Sequence, residues 1–74
     1  MIAEPLIGAG GVIIPPKNYF QKIQAVLSEF DIALIDDVVI TGFGRTGKMF
    51  GFEKYGVSPD IVVMGKALGG GRPI

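Results

Sequence analysis

The 74 residues contain no cysteine and no histidine. Without thiols there are no disulfide staples, no Cys-containing zinc clusters and no thiol nucleophile, and without imidazole every triad that depends on one is excluded. Catalysis by this chain would have to rest on carboxylates, lysines or hydroxyls. No metal is expected, and a cysteine-free chain fits a reducing compartment, here the cytoplasm. Runs of like charge are also missing: seven basic and seven acidic residues cancel, which leaves no footprint for nucleic acid or anionic lipid. No apolar run approaches the ~20 residues that a membrane helix needs. The opening MIAEPLIGAGG has no basic segment ahead of an apolar stretch, so it does not read as a secretory signal. Neither nucleic acid nor membrane is therefore an expected partner.

What the chain has in quantity is glycine, twelve residues, about twice the average usage and placed at segment ends in the manner of turn punctuation. Phe20, Ile23, Val26, Leu27 and Phe30 recur every three or four residues, which predicts an amphipathic helix from about Lys17 to Glu29, opened by Asn18 or by the second proline. Gly11–Ile14, stopped by Pro15-Pro16, reads as a brief strand or an extended loop. Ile32–Ile35 and Ile61–Met64 read as strands buried on both faces, and Phe50–Tyr55 as a helical turn or two. Asp36 and Asp37 then follow one strand and Lys66 the other. Strand, helix, strand, short helix, strand is the grammar of a parallel α/β sheet, whose ligands gather outside the carboxyl ends of the strands. At 74 residues such a core is small, and the composition of both ends suggests an excerpt from a longer chain.

The segment GFGRTGKMFG, Gly42 to Gly51, comes near two phosphate-binding motifs at once. The Walker A match fails at Met49, where a magnesium-binding Ser or Thr is required. The dinucleotide match needs a substantial helix after Gly47, and Gly51 and Gly56 interrupt it. The plainer reading is a tight connection that turns Arg45 and Lys48 to water. Taken alone, Lys66 is equally readable as a solvated lysine and Asp37 as a turn or cap residue.

Four pieces taken together are more specific. They are A-E-P at Ala3–Pro5, G-A-G-G-V-I-I-P-P at Gly8–Pro16, the GFGRTGKMFG segment, and P-D-I-V-V-M-G-K-A-L-G-G-G at Pro59–Gly71. In this order and at these distances, over nearly every residue, the chain resembles the middle of a class III aminotransferase, the pyridoxal phosphate family of ornithine, 4-aminobutyrate and omega-amino acid transaminases. The resemblance implies an α/β fold, with residues 1–74 forming part of the large cofactor-binding domain of a fold-type I transferase and the small domain absent. It implies pyridoxal 5'-phosphate as cofactor, an amine or omega-amino acid as donor, a 2-oxo acid as acceptor, and a homodimeric full-length parent. A glutamate-1-semialdehyde-type aminomutase is the near rival, a non-catalytic remnant the non-enzymatic one, and a nucleotide-binding module the most remote. The isolated 74 residues are expected to be inactive.

The resemblance also assigns residues. Lys66 corresponds to the lysine that condenses with the cofactor aldehyde and then shuttles a proton. Asp37 corresponds to the carboxylate at the pyridine nitrogen, and Val39 to the apolar side chain against the ring. Glu4 corresponds to an active-site glutamate that in some members pairs with a gating arginine. The family's main phosphate cradle corresponds to an upstream segment, not to the glycine loop. Where the family usually reads A-D-E-V this chain reads Asp36-Asp37-Val38-Val39. The extra aspartate is expected to add negative charge beside Asp37. Ile7 and Ile40 also depart from the commoner glutamine or methionine, and glutamine, at those positions.

Overall fold

The computed structural model describes residues 1–74. Three short parallel strands, β1 (Ile2–Ala3), β2 (Ile35–Asp37) and β3 (Ile61–Val63), lie side by side in the order β1-β2-β3. Ala3 pairs with Asp36, and Asp36 in turn with Val62. One α-helix, α1 (Tyr19–Glu29), connects β1 to β2, and a 3-10 turn at Gly51–Tyr55 precedes β3. This is the expected α/β layout with parallel strands, because a parallel pair needs a crossover and a helix supplies it.

The elements differ from expectation in informative ways. The central strand runs Ile35–Asp37, not Ile32–Ile35. Ahead of it, the Leu34 carbonyl accepts the Asp60 and Ile61 amides at 2.9 and 3.2 Å, and the Leu34 amide donates to Asp60 Oδ2 at 2.8 Å. The ladder to β3 therefore starts at Leu34 and carries both aspartates into the sheet. Ile32 is left exposed before it. The strand at Ile2–Ala3 was not legible, since two residues are too few for any alternation to show. Gly11–Ile14 forms no strand of its own. Ile13 bridges back to Ile7 in antiparallel fashion, with N–O distances of 2.8 and 3.1 Å, around a turn in which Val12 takes φ 55°.

Helix α1 starts at Tyr19, two residues later than expected. Asn18 precedes it in a left-handed conformation (φ 64°) and makes no side-chain cap. Of the apolar stripe, Phe20 and Leu27 are buried, while Val26 and Phe30 stay exposed. Gln24 ties the helix to the approach of β3 through a reciprocal pair, its Nε2 donating to the Ser58 carbonyl at 2.7 Å and its Oε1 accepting the Ser58 amide at 3.4 Å. Gln21 likewise donates to the Tyr55 carbonyl, and Phe20 packs on the Tyr55 ring at 5.7 Å between centroids. These contacts fix α1 and β3 relative to each other without a large core.

β3 is not buried on both faces. Within these 74 residues Ile61 and Val63 are exposed and Val62 between them is half-buried, β3 being the last of the three strands. Burial instead follows one face of the central strand: Leu34, Asp36 and Val38 are buried, while Ile35, Asp37 and Val39 between them are half-buried. That is the period-two alternation of a strand with one covered face. Beyond Val38, the chain folds under Thr41 to meet Gly51 and Pro5. A Cβ at Gly51 would stand 2.7 Å from both Cβ and Oγ1 of Thr41 and 3.2 Å from Pro5 Cβ. Gly51→Ala in the full-length protein is therefore expected to cost about 1–3 kcal/mol through overpacking. The loss would be read as a lower urea midpoint at unchanged slope, and an unshifted midpoint would show that this corner yields.

Candidate active site

The carboxyl edge of the sheet collects the residues that the sequence singled out. Glu4 follows β1, Asp37 ends β2, and Lys66 lies three residues past the end of β3. Since β2 neighbours both other strands, Asp37 is between the other two along this edge, with strand axes about 5 Å apart. Ligands of open α/β sheets bind at this edge.

Lys66 opens a 3-10 turn, Lys66–Gly69, directly after the extended Gly65. Its own backbone is left-handed, at φ 46°, a conformation costly for any residue with a side chain. Lys66 and Val39 front one cleft of about 560 Å³, together with Ile40, Phe43 and Arg45. Asp37 does not line that cleft. It lies one strand in, half-buried, with Oδ1 accepting the Val39 amide at 3.0 Å. This Asx-type contact fixes the carboxylate relative to the Val39 wall and leaves Oδ2 for another partner. Glu4 is further away, on a separate apolar groove with Ile7, Ile14 and Tyr19, where its Oε2 accepts the Gly8 amide at 3.1 Å. The structure thus brings Lys66 and Val39 together, places Asp37 beside them, and does not bring Glu4 into the same cleft.

The residues present fit a flat, nitrogen-containing ring. A primary amine fronts the cleft, an apolar β-branched wall backs it, and an oriented carboxylate stands at the adjacent strand end. Gly65 lies against Val39, where a Cβ would meet the Val39 methyls at 3.4 and 3.5 Å, ordinary contact distances.

The glycine loop does not present itself to phosphate. Gly42, Gly44 and Gly47 spend their amides inside the chain, on the carbonyls of Val38 (2.8 Å), Met49 (3.2 Å) and Gly44 (3.0 Å). A phosphate cradle needs such amides unpaired, so the loop is the tight connection of the plainer reading.

Asp36 occupies the covered face, opposite in direction to Asp37. It is 2 % exposed, and its Oδ1 has no hydrogen-bond partner. Burial, and secondarily the charge of Asp37, push its carboxyl up to about 6. The expected addition of negative charge beside Asp37 is therefore partly muted by the acid's own reluctance to ionise. Arg45, to which the sequence alone gave no role, enters the Lys66 cleft from the glycine loop. The only sequence signal for it was its place between two glycines that force a tight turn.

Comparison with known proteins identifies the family. A family model described as Aminotransferase class-III matches residues 1–74. A probable gamma-aminobutyrate transaminase 4 from Oryza sativa subsp. japonica is 64% identical over 67 residues, covering 90% of this chain and 14% of its own length. An (S)-enantioselective omega-transaminase from Thermomicrobium roseum superposes with a TM-score of 0.92 at 56% identity, over 95% of this chain and 16% of that one. The omega transaminase from Pseudomonas jessenii, solved in complex with PMP, does so with a TM-score of 0.91 at 56% identity, over 93% and 15%. The chain accordingly spans about one seventh of the length of such relatives, and no helix in it is long and apolar enough to cross a membrane. With the family's model matched from the first residue to the last, the chain belongs to the class III aminotransferases.

Proposed function

We propose that residues 1–74 are part of the large, cofactor-binding domain of a pyridoxal-phosphate-dependent transaminase that moves an amino group from an amine or omega-amino acid to a 2-oxo acid. The observation that carries this reading is the placement of Lys66 and Asp37 at the carboxyl ends of neighbouring parallel strands, with Val39 lining the Lys66 cleft. Family membership and the omega-transaminase structural neighbours support it. The small domain lies outside these residues, and the 74-residue piece alone does not transaminate. The full-length protein is a homodimer acting in a reducing compartment, the cytoplasm.

Pyridoxal phosphate, when bound, supplies an aldehyde that captures amines reversibly and a ring that accepts the electron pair left on a deprotonated carbon. The chain's own residues do the rest. Lys66 Nζ would hold the cofactor through its aldehyde and, as a free amine, would carry the proton moved at the amine-bearing carbon. Asp37 would favour a protonated ring nitrogen through its charge and a hydrogen bond. Its tie to the Val39 amide keeps that carboxylate from turning away. Val39 gives the ring an apolar wall and keeps water from that face. Glu4, on the neighbouring groove, meets the substrate end only as other parts of the protein bring that groove to the cleft.

The test is direct. Full-length protein incubated with pyridoxal phosphate and reduced with borohydride is expected to carry one stable tag, at Lys66, by peptide mapping. A tag on any other lysine, or none, overturns the reading.

A further inference from the structure

We propose that Gly42 is a positioning residue for Asp37, acting through the peptide unit that joins Val38 to Val39. Its consequence for the cofactor rests on the role proposed for Asp37 at the ring nitrogen. The Val38–Val39 peptide is held at both poles. Its N–H, on Val39, donates to Asp37 Oδ1 at 3.0 Å, and its C=O, on Val38, accepts the Gly42 amide at 2.8 Å. Because a peptide unit is planar and stiff, a rotation that moves the carbonyl swings the N–H by the same angle. Gly42 at one pole therefore aims the donor that holds the carboxylate at the other.

Gly42 reaches that carbonyl because it has no side chain. A Cβ there would stand 2.8 Å from the Val38 oxygen and 3.6 and 3.7 Å from Cγ2 and Cβ of Val38. What the position needs is space and not a left-handed backbone: Gly44 and Gly47 of the same loop take φ 91°, whereas Gly42 is not among the glycines of positive φ. Neither partner has an easy retreat. The Val38 amide donates to the Val63 carbonyl of β3 at 2.9 Å, and the Val38 side chain is fully buried. On the other side, Thr41 is 2 % exposed and stands where a Cβ on Gly51 would have to go. A methyl on Gly42 is then relieved by turning the Val38–Val39 peptide plane, which takes the Val39 N–H away from Asp37. The relay is local, from Asp37 to Gly42, with β3 as its anchor.

The test uses full-length Gly42→Ala with two readouts, neither of them turnover. Hydrogen exchange at the Val39 amide, which reports the bond to Asp37 directly, is expected to quicken by about 10-fold or more, as for a backbone amide that loses its acceptor. With pyridoxal phosphate labelled with nitrogen-15 in the ring, the pH at which that nitrogen gives up its proton, followed by magnetic resonance, should fall by about one unit, a tenfold weaker hold. Asp37→Asn should lower it further, and Gly42→Ala added to Asp37→Asn should lower it no more, since two changes acting through one group do not add. Gly51→Ala, which crowds Thr41 at the far end of the same corner, should lower the urea midpoint and leave both readouts in place. An unchanged Val39 exchange in Gly42→Ala, or a Gly51→Ala that moves both readouts equally, would overturn the relay. Rapid exchange of the Val39 amide in the wild-type protein would overturn it whether or not the variant folds. A ring nitrogen that responds to Asp37→Asn but not to Gly42→Ala sinks only the role of Gly42, whereas one that ignores Asp37→Asn sinks the placement of Asp37 on which it rests.

Discussion

Asp36→Ala is expected to stabilise the full-length protein at neutral pH, and the gain should grow as pH rises. The wild-type carboxyl lies on the covered face of the central strand between Leu34 and Val38, both buried, with Ala3 and Val62 as its in-register neighbours. None of these can solvate a charge, and Asp37 is the charged group that acts on it, unfavourably. The folded protein therefore raises this carboxyl from its ordinary 3.8 to about 6. For a carboxylate raised on folding, the native state binds the extra proton. The cost of burial is absent below pH 3.8, accumulates as pH rises through the interval, and is complete above about pH 6. Fully developed it amounts to about 3 kcal/mol, because each tenfold difference in proton affinity between the folded and unfolded chain is worth about 1.4 kcal/mol.

Alanine cannot ionise, so subtracting the wild-type pH dependence from that of the variant isolates this one group. Between pH 5 and pH 7.5 the stability difference should widen by roughly 1–2 kcal/mol, the part of the linkage integral lying in that interval. Urea unfolding at the two pH values measures it. A difference that stays flat would mean that Asp36 finds a partner or solvent in the full-length fold.

The same residue shows where the sequence ceases to be readable. The pair Asp36-Asp37 was legible as an anomaly at a strand end, but which of the two faced the core depended on register. A one-residue slip exchanges the faces. That register is set by Asp60 and Ile61 closing on Leu34, a contact between residues 26 positions apart that no local pattern carries. Helix α1 was legible because its apolar spacing is local, although its start moved when Asn18 adopted a left-handed turn in place of a side-chain cap. Lys66 and Asp37 were singled out through family motifs, not through periodicity, and their placement after adjacent strands follows from the parallel order β1-β2-β3.

Lys66→Ala should reduce turnover of the full-length protein by at least about 10³-fold, since one side chain is asked to serve as both anchor and proton carrier and general acid–base catalysis alone supplies 10²–10⁴. The expectation rests on the proposed role of Lys66. Lys66 holds φ 46° at the mouth of its turn, where glycine would be free of strain and where a non-glycine residue costs on the order of 1 kcal/mol or more. Cofactor affinity is expected to weaken without vanishing, because Asp37 and Val39 still offer a carboxylate and an apolar wall. The borohydride tag should disappear, and added ethylamine, small enough to enter a cleft of about 560 Å³, should restore part of the proton transfer. Lys66→Gly relieves the strained backbone while removing the same amine. It should therefore match or exceed the stability of Lys66→Ala and remain equally inactive, whereas turnover in either variant within tenfold of wild type would show that the reacting amine belongs to another residue.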